Sequence, residues 1–116
     1  MFEDKEFDPD LSLKQWDQKW ILDENKQVVK ADLLEWGKFL DKGDRRVALT
    51  DTSNGSVSTV FLGLNHNWEL FGPPLLFETM IFGGSHDQFQ ERYSTWSEAE
   101  EGHQRAVDLC EGRREE

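Results

Sequence analysis

The stretch RRVALTDTSNGSVSTVFLGL, residues 45–64, constrains the fold more than any other part of the chain. Two runs of alternating residues flank Asn54-Gly55, the dipeptide preferred in two-residue hairpin turns because both central positions need positive φ. With the turn at 54–55, Ser53 faces Ser56 and the ladder runs outward to Leu49–Val60 and Val47–Leu62. Four apolar side chains then share one face of the hairpin. The other face carries Ala48, Thr50, Val57, Thr59 and Phe61, is only half polar, and leaves room for a covering layer there too.

The flanking segments extend this hairpin into a domain. KWILDENKQVVKA reads as two short strands around a polar turn. In ADLLEWGKFLDKGD, Asp32 serves as a cap, Leu33, Trp36 and Leu40 share a helical face, and Gly43 is the stop. LLFETMIF reads as a third long strand returning beside the second, and ERYS as a short fourth. Thr95 and Glu98 then form a capping box, and Trp96, Ala99, His103, Ala106, Val107 and Cys110 recur at helical spacing. The expected architecture is a single α+β domain over residues 14–111. An antiparallel sheet of about four to five strands carries the C-terminal helix on one face, and a shorter helix lies near 32–42. Residues 1–13 read as a flexible acidic lead-in and 112–116 as a charged tail.

Charge narrows the function. Twenty-four carboxylates against 13 lysines and arginines give −11, a field that repels phosphate backbones. No lysine or arginine occurs from residue 47 to residue 91, and no Gly-rich phosphate loop is present, so nucleic-acid and nucleotide binding are disfavoured. No run is long and apolar enough for a membrane span, and the acidic start is unlike a signal peptide. The single cysteine, Cys110, excludes an internal disulfide and fits a cytoplasmic protein.

Few residues invite chemistry. Strand alternation puts Glu78 with Leu76, Met80 and Phe82. There it is either an acid, base or ligand anchor with a raised pKa, or a carboxylate at an edge or paired with Arg45, Arg46 or Arg92. His66, in NHN at a strand end, is the imidazole placed to meet Glu78, and these two are the candidate catalytic pair. Asn65, His66, Glu78, Arg46 and Arg92 form the corresponding ligand-binding set. His103 lies on the apolar stripe and reads as a hydrogen-bonded boundary residue. The histidine spacing matches no metal motif, so neither metal nor cofactor is expected. Trp68, Leu70 and Phe71, in the loop before Gly-Pro-Pro, form the candidate partner-binding surface.

The phrases KWILDENKQVV, DLLEWGKFL, STVFLGLNHNW, GPPLLFETMIFGG and RYSTW resemble a family of small uncharacterised proteins encoded by bacteriophages and prophages, over about residues 19–107. The resemblance implies a phage setting, the host cytoplasm and no particular reaction. The combined expectation is an accessory protein that binds a host or phage protein without catalysis, with a counter-defence role in view. Alternatives are a small-molecule or hydrolytic site at His66 and Glu78, a virion or assembly component, and DNA mimicry. Mimicry would use Asp32, Glu35, Asp41, Glu98, Glu100, Glu101 and Asp108. A homodimer through the apolar edge strand is also open.

Overall fold

The computed structural model describes residues 18–69 and 71–112. The acidic lead-in, Leu70 and residues 113–116 of the tail lie outside the described residues. In chain order the elements are β1 (Lys19–Leu22), β2 (Val28–Ala31), α1 (Leu33–Lys42), β3 (Arg46–Thr52), β4 (Gly55–Phe61), β5 (Phe77–Phe82), β6 (Gln90–Tyr93) and α2 (Trp96–Cys110). The fold is α+β. Strands β3-β4-β5-β6 form an antiparallel meander with α2 across one face, and β1-β2 form a second, two-stranded sheet. No helix among the described residues is long and apolar enough to cross a membrane.

Local chemistry sets each boundary. Asp23 Oδ1 accepts from the backbone N–H groups of Asn25 and Gln27, at 2.8 and 2.9 Å, and this closes the β1–β2 turn. Both helices open with reciprocal capping boxes, Asp32 with Glu35 and Thr95 with Glu98. Three of the seven carboxylates counted for DNA mimicry, Asp32, Glu35 and Glu98, are thereby engaged by their own chain. The unit β1-β2-α1 docks on the lower end of the large sheet through Gly63. The Gly63 carbonyl accepts from the Trp20 backbone at 3.0 Å and from Trp36 Nε1 at 3.1 Å. An aromatic series continues the contact inward, from Phe39 to Phe61 to Phe77 to Trp96, with ring centroids 5.9, 5.1 and 6.3 Å apart.

The central hairpin forms, but in another register. Thr52 pairs with Gly55, Leu49 with Ser58 and Ala48 with Thr59, so Ser53-Asn54 is the turn rather than Asn54-Gly55. Asn54 does not adopt positive φ, as the expected turn type requires. Its side chain is recruited instead, donating to Ser85 Oγ at 2.8 Å and to the Cys110 carbonyl at 3.1 Å. Those bonds tie the turn to the β5–β6 loop and to the end of α2. The slip is two residues, so Leu49 and Val60 still share a face. That face is the outer one, where Leu49 is 55% exposed, and Val47 falls in a bulge. The core lies on the opposite side, under α2.

On the buried side two apolar clusters sit apart. Leu22, Phe61, Leu76, Phe77, Tyr93 and Ala99 form one. Val57, Ile81, Ala106, Val107 and Cys110 form the other. A polar seam separates them. His103, 6% exposed, bonds Thr59 Oγ1 through Nδ1 at 2.7 Å and Thr50 Oγ1 through Nε2 at 2.9 Å. Thr59 bonds Thr79, Thr79 bonds Tyr93, and the Tyr93 hydroxyl donates to Glu91 Oε1 at 2.8 Å.

A hydroxyl has one proton to give, so this chain has a direction. Burial first among its causes pushes the Tyr93 pKa up to about 12, which keeps the phenol protonated. Because Tyr93 donates to a carboxylate, Thr79 donates to Tyr93 and Thr59 donates to Thr79. The proton to Thr59 therefore comes from His103 Nδ1, and Nε2 accepts from Thr50. His103 is hydrogen-bonded and structural.

Gly102 sits so close to Tyr93 that a Cβ there would overlap the phenol oxygen. Gly102→Ala is therefore expected to lower stability by about 1–3 kcal/mol in urea unfolding. This holds although alanine favours a helix by about 1 kcal/mol. A variant as stable as the parent would show that α2 shifts off Tyr93 freely.

Burial also holds the His103 pKa below its ordinary 6.5. The unfolded chain therefore takes up a proton first as pH falls. Stability is full above about 6.5 and declines below it by at most about 1.4 kcal/mol per pH unit. Urea titrations at about pH 7.5 and about pH 5.5 should show this loss, and His103→Gln should show a shallower slope. His66, shifted the same way, keeps its share of the slope in that variant.

Candidate functional site

The β4–β5 connection is built on two asparagines. Asn65 Oδ1, buried, accepts from the backbone N–H groups of Asn67 and Leu75 at 2.8 and 2.9 Å. Asn67 repeats the motif: Oδ1 accepts from the Glu69 backbone at 2.9 Å, while Nδ2 donates to the Pro73 carbonyl at 2.9 Å. Each is a side chain standing in for a backbone turn partner, and together they replace the ladder that β4 and β5 lack here. The His66 backbone still donates to the Leu75 carbonyl at 2.9 Å, and Ser94 Oγ donates to the Pro74 carbonyl at 2.6 Å. The loop is thus fixed at both roots.

What this framework presents is aromatic. Trp68 is 65% exposed and Phe71 is 80% exposed. Two large rings in water on a loop pinned by buried amides are the arrangement expected of a surface that meets something else. Leu70, the third residue singled out from sequence, lies outside the described residues. Asn65, counted in the ligand set, has its carboxamide oxygen turned inward to hold the loop. Asn67 escaped notice, although Asn65-x-Asn67 ahead of Gly-Pro-Pro is a legible pair of turn formers.

Beside the loop, the ladder sets Arg46, Val60, Glu78 and Arg92 in one row across the outer face. Glu78 and Arg92 meet at 3.0 Å between Oε2 and Nε, and Gln90 Nε2 donates to the same oxygen at 2.7 Å. Of the expectations for Glu78, pairing with Arg92 is the one the geometry displays. His66 packs its ring on Trp68 with centroids 5.7 Å apart. Its pKa is lowered by burial first, then by the positive charge of Arg92, with the Glu78 charge opposing. His66, Glu78 and Arg92 are therefore neighbours in electrostatic terms, though among the described residues no hydrogen bond joins His66 to Glu78. Arg46 stands across Val60, about two strand spacings, or about 10 Å, from Glu78.

A cleft of about 350 Å³ lies on the other side of Arg92, lined by Leu75, Tyr93, Ser94, Glu98, Glu101 and Arg105. Both of its guanidinium groups already face carboxylates, Arg92 on Glu78 and Arg105 on Glu91 at 3.3 Å. Among the described residues, no three His, Cys, Asp or Glu side chains gather as a metal ion would require. Comparisons with protein-family models, with curated proteins and with solved structures found no match.

The two charges around His66 act with opposite signs, which gives a direct check. In an NMR titration His66 should protonate below 6.5. Arg92→Gln should raise that midpoint, and Glu78→Gln should lower it further. Identical midpoints in all three proteins would separate His66 from the ion pair.

Proposed function

We propose that this chain is a non-catalytic binding protein that captures a protein partner through the 65–74 loop. It would work as a phage-encoded accessory factor in the host cytoplasm, with a host or phage protein as its target. The observation that carries the proposal is the exposure of Trp68 and Phe71 on a loop held by buried asparagine bonds. Aromatic anchors provide much of the energy of protein interfaces, and a loop already tied at both roots loses less entropy on binding than a free one. The phage setting and a counter-defence role draw on the sequence resemblance over residues 19–107.

A hydrolytic or small-molecule site at His66 and Glu78 has weaker support. Glu78 accepts from two donors on β6, and that pairing suits a strut across the sheet better than a base awaiting a proton.

The test is affinity capture from infected host lysate, comparing the parent with Trp68→Ala/Phe71→Ala. The parent should retain a stoichiometric partner, and the double variant should lose it by at least about tenfold, the effect of removing interface anchors. Its melting temperature should stay within about 2 °C, because neither ring belongs to the core. Undiminished capture by the variant would refute the loop's role. A large drop in melting temperature would show that the rings support the fold.

A further inference from the structure

The described tryptophans fall into two groups. Trp20, Trp36 and Trp96 each carry a lysine ammonium of this chain over the ring: Lys30 at 5.6 Å, Lys19 at 5.6 Å and Lys26 at 5.1 Å. An indole face is electron-rich, and a cation within about 6 Å of its centre is attracted to it. Trp68 is the exception among the described residues. It is also the most exposed of the four, and the contact it makes is with the His66 ring on one side.

Among the described residues, none places a cation over Trp68. From residue 47 to residue 91 there is no lysine or arginine, while Asp51, Glu69, Glu78, Asp87 and Glu91 are all acidic. Arg92, the nearest guanidinium in the row beside the loop, is bound to Glu78 at 3.0 Å. Glu69, next to Trp68, is exposed and forms no ion pair among the described residues. The loop therefore joins two aromatic rings to an unneutralised carboxylate on a body of net charge −11.

Resting on the loop's role as the capture surface, we infer that the partner presents a basic face, with a lysine or arginine side chain lying over the open face of Trp68. An apolar group beside that cation meets Phe71, and Glu69 pairs with a second cation at the rim. The charge of the whole chain draws such a partner in from a distance. The same charges select against the other occupants. A nucleic acid would bring phosphates to a loop that has no lysine or arginine of its own and carries Glu69, where single-strand binders use positively charged grooves beside their stacking rings. A second copy of the chain would bring another −11 and another Glu69.

The probe is a displayed library of random short peptides, passed first over the immobilised Trp68→Ala/Phe71→Ala chain and then over the parent. Both chains carry the same net charge, so the first pass removes peptides held by bulk attraction alone. Peptides retained by the parent should carry lysine or arginine next to an apolar residue, with a net positive charge. Retained peptides that are neutral or acidic would overturn the basic partner while leaving the loop as a capture surface. If no peptide prefers the parent to the variant, the capture surface itself is refuted. For the tightest retained peptide, Trp68→Leu should weaken binding by about tenfold and Trp68→Phe by less, since a phenyl face keeps part of the attraction. Equal losses in the two variants would overturn the placement of the cation on the ring.

Discussion

The structure depends on one buried imidazole. His103 reaches from α2 to hydroxyls on β3 and β4, and the hydroxyl series continues through β5 to β6. An apolar helix face fits an apolar sheet in many offsets, but an imidazole between two threonines fits in one. A mis-set helix would carry the two imidazole nitrogens away from Thr50 and Thr59, at a cost of about 1–3 kcal/mol for each buried group left unpaired. The apolar clusters on either side supply cohesion, and the seam between them supplies position.

That division of labour explains what the sequence revealed and what it hid. Capping boxes, alternation and the helical stripe are local, so both helices and the four strands of the meander were legible from neighbours in the chain. The side of the sheet that becomes core was not. Leu49, Val60, Met80 and Phe82 look more like core than Thr59 and Thr79 do, yet the threonines are fully buried and Leu49 and Phe82 are about half exposed. What makes a threonine interior is a hydroxyl partner, and here the decisive partner lies on another element, 44 residues away in the chain for Thr59. The hairpin register failed for a related reason. Asn54 has local value in a turn, but its amide bonds to Ser85 and Cys110 are long-range and outweigh it.

The candidate site was legible in part, again according to distance along the chain. Exposure of Trp68 and Phe71 followed from their place ahead of Gly-Pro-Pro, where no strand pattern continues. Pairing of Glu78 with Arg92 was one of several open choices, and cross-strand register, a tertiary property, decided among them. The lysines over Trp20 and Trp36 come from the same hairpin or the next element, whereas Lys26 over Trp96 joins opposite ends of the domain. No periodicity announces such contacts, because a lysine stem is long and the ring accepts it from many directions.

The asparagine supports beneath the β4–β5 loop have a consequence for how such a surface can change. Its course is dictated by carboxamides at 65 and 67, by Pro73, Pro74 and by Ser94, none of which is displayed at its tip. The side chains at 68 and 71 are not among those polar supports. Shape and chemical identity are thus encoded by separate letters, so the displayed side chains are replaceable one at a time while the scaffold stays as it is. Residues 68 and 71 can therefore vary without the chain having to relearn how to fold.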